Sequence, residues 1–167
     1  MHIMKDSFWK SRHIAAAKKV KSFTELAELA LAILSQFNDS VVMVSGPIST
    51  GGRGSIEKNI EAFAKTKAHL EKRGHLVFSQ TPVQETIARL AKEWRKANNK
   101  PLNRYCRPIL TEFYLPIFKS GRVVKMFFRP DWKSSIGSRW ERKKARLLRI
   151  EIEDLGPRFD KKLALTP

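Results

Sequence analysis

Four short runs, Val41–Val44, His75–Phe78, Val123–Phe128 and Ile150–Ile152, are the strongest constraint on what this chain can fold into. The first is wholly apolar, as expected of a strand covered on both faces. The third is apolar apart from Lys125, and the fourth alternates and suits a sheet edge. Between them lie helical patterns. Ser22-Phe23-Thr24-Glu25 has the form of a capping box, opening a helix with Leu26, Leu29, Ala30, Ile33, Leu34 and Phe37 on one face. A second helix carries Ile56, Ile60, Phe63, Ala64 and Leu70 and stops at Gly74, the residue type that best closes a helix. A third spans Val83 to Asn98. A fourth, Pro108 to Ser120, is expected to kink or divide at Pro116. A helix followed by strand–helix repeats predicts an α/β fold: an open parallel sheet with helices on both faces, plus an extra N-terminal helical segment. Right-handed crossovers then place the strand carboxyl ends along one edge, where such folds hold ligands. The expected layout is a basic N-terminal arm or helix over 1–21, a single α/β domain over 22–155, and a mobile tail over 156–167.

The chain has 167 residues, 42% hydrophobic and 29% charged, which is a globular composition. Its 33 Lys+Arg against 16 Asp+Glu give a net charge of +17. That favours anionic partners: phosphorylated small molecules, nucleic acid or an acidic surface. A single cysteine, Cys106, rules out an intrachain disulfide. His2, His13, His69 and His75 lack metal-ligand spacing, so no metal is expected. Nor does the pattern call for another cofactor. No apolar run approaches the roughly 20 residues of a membrane span, and no signal-peptide core is present, so a soluble cytoplasmic protein is the expectation.

Two stretches carry candidate chemistry. After the first strand comes Ser45-Gly46-Pro47-Ile48-Ser49-Thr50-Gly51-Gly52-Arg53-Gly54-Ser55, followed at once by a helix. Strand, glycine-rich loop and helix N-terminus together can offer backbone N–H groups to an anion. The loop has neither the P-loop order nor the G-x-G-x-x-G spacing, so ATP hydrolysis and NAD chemistry find no support. After the third strand, a turn leads into a basic helix in which Glu141 is the sole acid among Arg139, Arg142, Lys143 and Lys144. Ser138-Arg139-Trp140-Glu141 fits a capping box, which would make Glu141 a helix cap. Alternatively, the carboxylate faces the pocket formed where the loops converge. Glu112 is the only acid in its segment, either solvated or a second carboxylate of the site. Trp132 and Trp140 either stack on a base or pack their loop onto the core.

Val44-Ser45-Gly46-Pro47-Ile48, Gly74-His75-Leu76-Val77-Phe78, and Trp132-Lys133-Ser134-Ser135-Ile136-Gly137 followed by Glu141 together resemble the nucleoside 2-deoxyribosyltransferase-like superfamily, which includes deoxynucleoside monophosphate N-glycosidases. The resemblance covers about Val41 to Asp154. It implies a flavodoxin-like fold, and a Glu at the position of Glu141 that attacks the sugar C1′ and passes the glycosyl group to water or another base. It also implies a 5′-phosphate held near Ser135 and Gly137, loops around Gly46 to Arg53 that close over a nucleotide, and a homodimer or larger oligomer. Where the family carries acids before and at the third strand, this chain has Glu112 near the first place and Ser120-Gly121-Arg122 at the second. The expected site therefore comprises Glu141 and Glu112 as catalytic residues, with Ser45, Gly46, Ile48, Gly51, Gly52, Arg53, Trp132, Ser135 and Gly137 around a nucleoside or nucleotide. The expected function is N-glycosidic bond cleavage or transfer. The alternative is a non-catalytic nucleotide- or nucleic-acid-binding protein of the same fold.

Overall fold

A computed structural model describes Asp6 and residues 8–165. Residues 1–5, 7 and 166–167, and with them His2, lie outside the described residues. In chain order the elements are α1 (Ser11–Ala17), α2 (Phe23–Leu34), β1 (Val41–Ser45), α3 (Ile56–Lys72), β2 (Val77–Phe78), α4 (Gln84–Ala97), α5 (Leu115–Lys119), β3 (Val123–Phe128), α6 (Ile136–Leu147), β4 (Glu151–Asp154) and α7 (Phe159–Ala164). Short 3-10 turns cover Thr81–Val83 and Trp132–Ser134, and a π-helical segment covers Ile109–Tyr114. The chain groups into two compact units: Met1–Asn38 with Gln80–Ser120, and Asp39–Ser79 with Gly121–Pro167.

The first unit is helical. Ser22 caps α2 by accepting from the Glu25 N–H at 3.1 Å. The Glu25 carboxylate accepts from the Lys21 N–H at 2.8 Å, one residue before the position a capping box predicts. Pro116 sits in the first turn of α5, where its missing N–H is harmless. The expected division of Pro108–Ser120 therefore falls between the π turns ending at Tyr114 and the α turns beginning at Leu115. The N-terminal segment folds in part as α1 and is anchored: Phe8 and Trp9 are buried, and the Phe8 ring lies 4.4 Å from that of Phe37.

The second unit holds the sheet. It is α/β, with a four-stranded open sheet in the order β2-β1-β3-β4. Every pairing is parallel, consistent with a flavodoxin-like arrangement. β4 is at the edge, and Lys125, the charge that interrupts the third apolar run, reaches its Glu151 at 3.0 Å. Alternation splits the side chains. Val42, Val44 and Phe127 pack with Phe63 and Leu70 of α3 in one core. Met43, Met126 and Phe128 are buried on the other face, where Arg142 of α6 stands 4.8 Å over the Phe128 ring. The chain steps from β1 outward through α3 to β2, then from β3 outward through α6 to β4. Right-handed crossovers in opposite directions put these helices on opposite faces. The sheet thus switches direction between β1 and β3, whose carboxyl ends pair at Ser45 and Phe128. A crevice at such a reversal is where open α/β sheets bind ligands.

Two sequence expectations differ from this. The buried stripe of α3 is Asn59, Ala62, Phe63, Thr66 and Leu70, while Ile56 is 47% exposed. Hydropathy favours Ile56, but it stands in the first turn, away from the sheet core, and the polar members are buried because they are bonded. Beyond Gly156, the expected mobile tail instead folds as α7 over Phe159–Ala164. Phe159 is buried, its ring 5.3 Å from His69, and Asp160 is ion-paired.

Candidate functional site

Ser135 takes β-region angles and accepts from the Ser138 N–H at 3.2 Å. It is the N-cap of α6, so the helix starts three residues before the place a Ser138–Glu141 capping box requires. Ser138 is then the third helical residue, and Glu141 falls in the second turn. At that phase Gly137, Ser138, Glu141 and Ala145 face inward, and Glu141 has no helix end to cap.

Glu141 is 8% exposed. Its Oε2 accepts a short hydrogen bond from the Ser45 hydroxyl. Burial raises its carboxyl from the ordinary 4.5 to about 7, against the opposing pull of the Ser45 hydrogen bond. Ser45 is the last residue of β1, 1% exposed, and its carbonyl accepts from the Arg129 N–H at 2.9 Å. A carboxyl that is half ionised near neutral pH therefore lies beside a buried hydroxyl at the point where the sheet reverses. One turn before it, the Ser138 hydroxyl is buried with no hydrogen-bond partner.

The glycine-rich loop is folded onto the turn after β3. Gly51 and Gly52 have φ of +68° and +73°. A Cβ on Gly51 would strike the Ser134 carbonyl oxygen, and one on Gly52 the Asn59 side-chain oxygen. The Gly52 N–H donates to Ser134 Oγ and the Arg53 N–H to Asn59 Oδ1, both at 2.8 Å. Asn59 Nδ2 in turn donates to the Ile48 and Gly51 carbonyls at 2.9 and 3.1 Å. The Ile136 N–H at the start of α6 donates to Thr50 Oγ1 at 3.1 Å. The amides of Gly52 and Arg53, expected to face an anion, are thus occupied within the protein, as is the first amide of α6. The Arg53 guanidinium pairs with Asp160 at 3.0 Å. Gly51→Ala is expected to lower stability by about 2 kcal/mol, since a left-handed alanine alone costs roughly 1–2 kcal/mol and the Ser134 contact adds to it. Thermal melting measures the loss. Faster exchange of the Gly52 amide, with β1 amides unchanged, would place the opening in the loop.

The sequence-derived residues fall into three groups. Ser45 and Glu141 meet directly, with Gly46, Ser135 and Gly137 in the segments that place them. A Cβ on Gly46 would stand 2.7 Å from the Arg129 stem, so glycine lets β1 end against that side chain. Ile48, Gly51, Gly52 and Arg53 build the loop, and Ile48 packs against the α3 core. Trp132 is half-buried, with its ring 5.7 Å from Phe128 in edge contact. The Arg142 guanidinium lies 4.4 Å over the Trp132 ring and grips Asp154 at 2.6 and 2.9 Å. This is the packing alternative for Trp132. Glu112 is exposed on the π-helical segment of the helical unit. Among the described residues no three His, Cys, Asp or Glu side chains are grouped to hold a metal, and no helix is long and apolar enough to cross a membrane.

Sequence reasoning missed Arg129, Asp160, Asn59 and Thr66. Arg129 is 1% exposed and donates to Thr66 Oγ1 at 2.6 Å and to both Asp160 oxygens at 3.0 Å. The available signal was a cation directly behind the apolar end of β3. Comparison with protein-family models, curated proteins and solved structures finds no match to this chain.

Proposed function

We propose that the protein cleaves or transfers the N-glycosidic bond of a nucleoside or nucleoside 5′-monophosphate, with Glu141 as the carboxylate at the sugar C1′. The observation that carries this reading is the buried Glu141 carboxyl, held by Ser45 at the carboxyl edge of the parallel sheet. A buried carboxyl that has lost its cap role and is poised to titrate near neutrality is a functional candidate on physical grounds. The ordered resemblance of the motifs around Val44, Gly74 and Trp132 to the nucleoside 2-deoxyribosyltransferase-like superfamily supports the same reading.

The chemistry requires little else. Breaking a C1′–N bond develops positive charge on the sugar, which an ionised carboxylate stabilises or traps. An oxygen of Glu141 bonds to C1′ as the C1′–N bond breaks, and that electron pair leaves with the base, which takes a proton from solvent water; the proton is returned when water or the acceptor base gives one up on attacking C1′. Water or an acceptor base then attacks C1′ and releases the carboxylate. Ser45 fixes the carboxylate direction by holding one oxygen, leaving the other to face the sugar. The net charge of +17 favours a phosphorylated substrate.

The test is chromatographic detection of free base from a panel of ribo- and deoxyribonucleosides and their 5′-monophosphates, with and without an acceptor base. Release by the wild type and not by Glu141→Gln is expected. No release from any member would sink the catalytic reading. A second reading, nucleotide binding without chemistry, is favoured by one observation. Asp154 and Asp160 near this edge are bonded by arginine, and Asp131 stands 3.4 Å from Arg129, so each of these three acids has a cation beside it. Nucleotide binding without release, equally strong in Glu141→Gln, would establish it.

A further inference from the structure

The outward side of α6 is a run of exposed cations. Like-charged neighbours three or four residues apart destabilise a helix, and on α3 and α4 acids relieve some of the cations: Glu61 pairs with Lys65, Glu71 with Lys67, and Glu93 with Arg89. On α6 the only acid, Glu141, is turned inward. Arg139, Lys143 and Arg146 form an exposed row, and among the described residues none of them is ion-paired to an acid. Asp154 is held by Arg142 instead. Beside this row runs a narrow apolar strip of Ile136, 41% exposed, the half-buried Trp140, and Leu147, 66% exposed. Lys144 stands 5.6 Å over the Trp140 ring.

We infer that this face binds single-stranded nucleic acid, with phosphates following the Arg139–Lys143–Arg146 row and a base stacking on Trp140. Neighbours in that row stand about 5–6 Å apart, a rise a single strand can track. Cations beside an aromatic ring are the combination that holds a strand without reading its sequence. A membrane surface suits the face less well, because interfacial helices sink a broad apolar face and here the apolar strip is one residue wide and flanked by charge. The inference does not depend on glycosidase chemistry, since Glu141 lies on the opposite side of the helix.

Fluorescence anisotropy with a labelled 20-nucleotide oligo(dT) tests it across a salt series. The triple variant Arg139→Gln, Lys143→Gln, Arg146→Gln should bind at least tenfold more weakly at 150 mM salt. It should also flatten the slope of log affinity against log salt by about 2, three contacts at roughly 0.7 each. Trp140→Ala should weaken binding roughly tenfold with the slope unchanged. The control Lys92→Gln, Lys96→Gln, Lys100→Gln removes the same charge from α4 and the turn after it, and should stay within twofold of wild type. Equal weakening in the control would overturn the proposal in favour of diffuse net charge. Binding to phosphatidylserine vesicles but not to the oligonucleotide would overturn it in favour of a membrane. Base release from mononucleosides should be unchanged in the α6 triple variant, so failure here is separable from failure of the glycosidase reading.

Discussion

Glu141→Gln is expected to lower base release by at least about a thousandfold while making the protein more stable at pH 8. The two effects have one origin. The glutamine keeps the shape and can still accept from Ser45, but it cannot bond to C1′ or carry the charge that steadies the sugar cation. The stability effect follows from linkage. The folded carboxyl titrates at about 7 and an unperturbed one at 4.5. Below 4.5 both states hold the proton and nothing is lost. Between 4.5 and 7 the unfolded chain has released it while the folded protein retains it, so stability falls as pH rises. Above 7 the loss is complete and, at about 1.36 kcal/mol per pH unit, amounts to roughly 3 kcal/mol. Urea denaturation of wild type and variant at pH 5 and pH 8 should therefore show a difference that grows by up to about that amount. A difference that is constant with pH would mean that Glu141 is not held in a desolvated site. The rate profile adds a sign. If the ionised carboxylate attacks the sugar, kcat/KM rises with pH through about 7; if Glu141 instead donates a proton to the base, the rate falls there.

The layered α/β fold was legible because its strands are short, apolar and spaced by helical patterns, and parallel strands need both faces covered. The site was half legible. Ser45 and Glu141 stand out individually, but their contact depends on the phase of α6, which the local pattern leaves open between a helix cap and an inward carboxylate. Ser135 and Ser138 each fit an N-cap, three residues apart. Local pattern favours Ser138 because a Glu follows it at the right spacing, whereas tertiary structure favours Ser135, since starting the helix there turns Gly137, Ser138 and Glu141 inward together. Trp132 was ambiguous for a similar reason: an indole suits a base or an arginine equally, and Asp154, twelve residues beyond Arg142, is what fixes the arginine over it. The buried polar residues of α3 were illegible, because Asn59 lies inside through bonds to Ile48, Gly51 and Arg53 of the folded loop before it, and Thr66 through the distant Arg129.

Arg129→Ala is expected to destabilise the protein by about 2–3 kcal/mol, below the range for breaking a fully buried ion pair because Asp131 and Asp160 are 27% and 30% exposed. Its guanidinium joins three segments that the backbone leaves separate: Thr66 of α3 at 2.6 Å, Asp160 of α7 at 3.0 Å, and Asp131 of the turn after β3 at 3.4 Å. The alanine leaves Asp131 facing a void and removes the stem against which Gly46 packs. Asp160 keeps Arg53, so α7 is loosened rather than released. Arg129→Met separates the contributions. It refills the stem volume without the charge, while Asp131 and Asp160 lose the same partner as in the alanine variant. If packing dominates, methionine should recover most of the loss in urea denaturation; if the charge network dominates, it should recover little, and Asp160→Asn should then be costly as well. A loss below about 1 kcal/mol in Arg129→Ala would refute the view that this side chain holds the unit together. The Ser45–Glu141 pair reports on the same question from the other side. The Ser45 carbonyl bonds the Arg129 backbone N–H, which any substitution there retains. The pH at which Glu141 titrates should therefore survive in whatever fraction of Arg129→Ala remains folded, and a displaced midpoint would mean that the guanidinium shapes the site as well as supporting it.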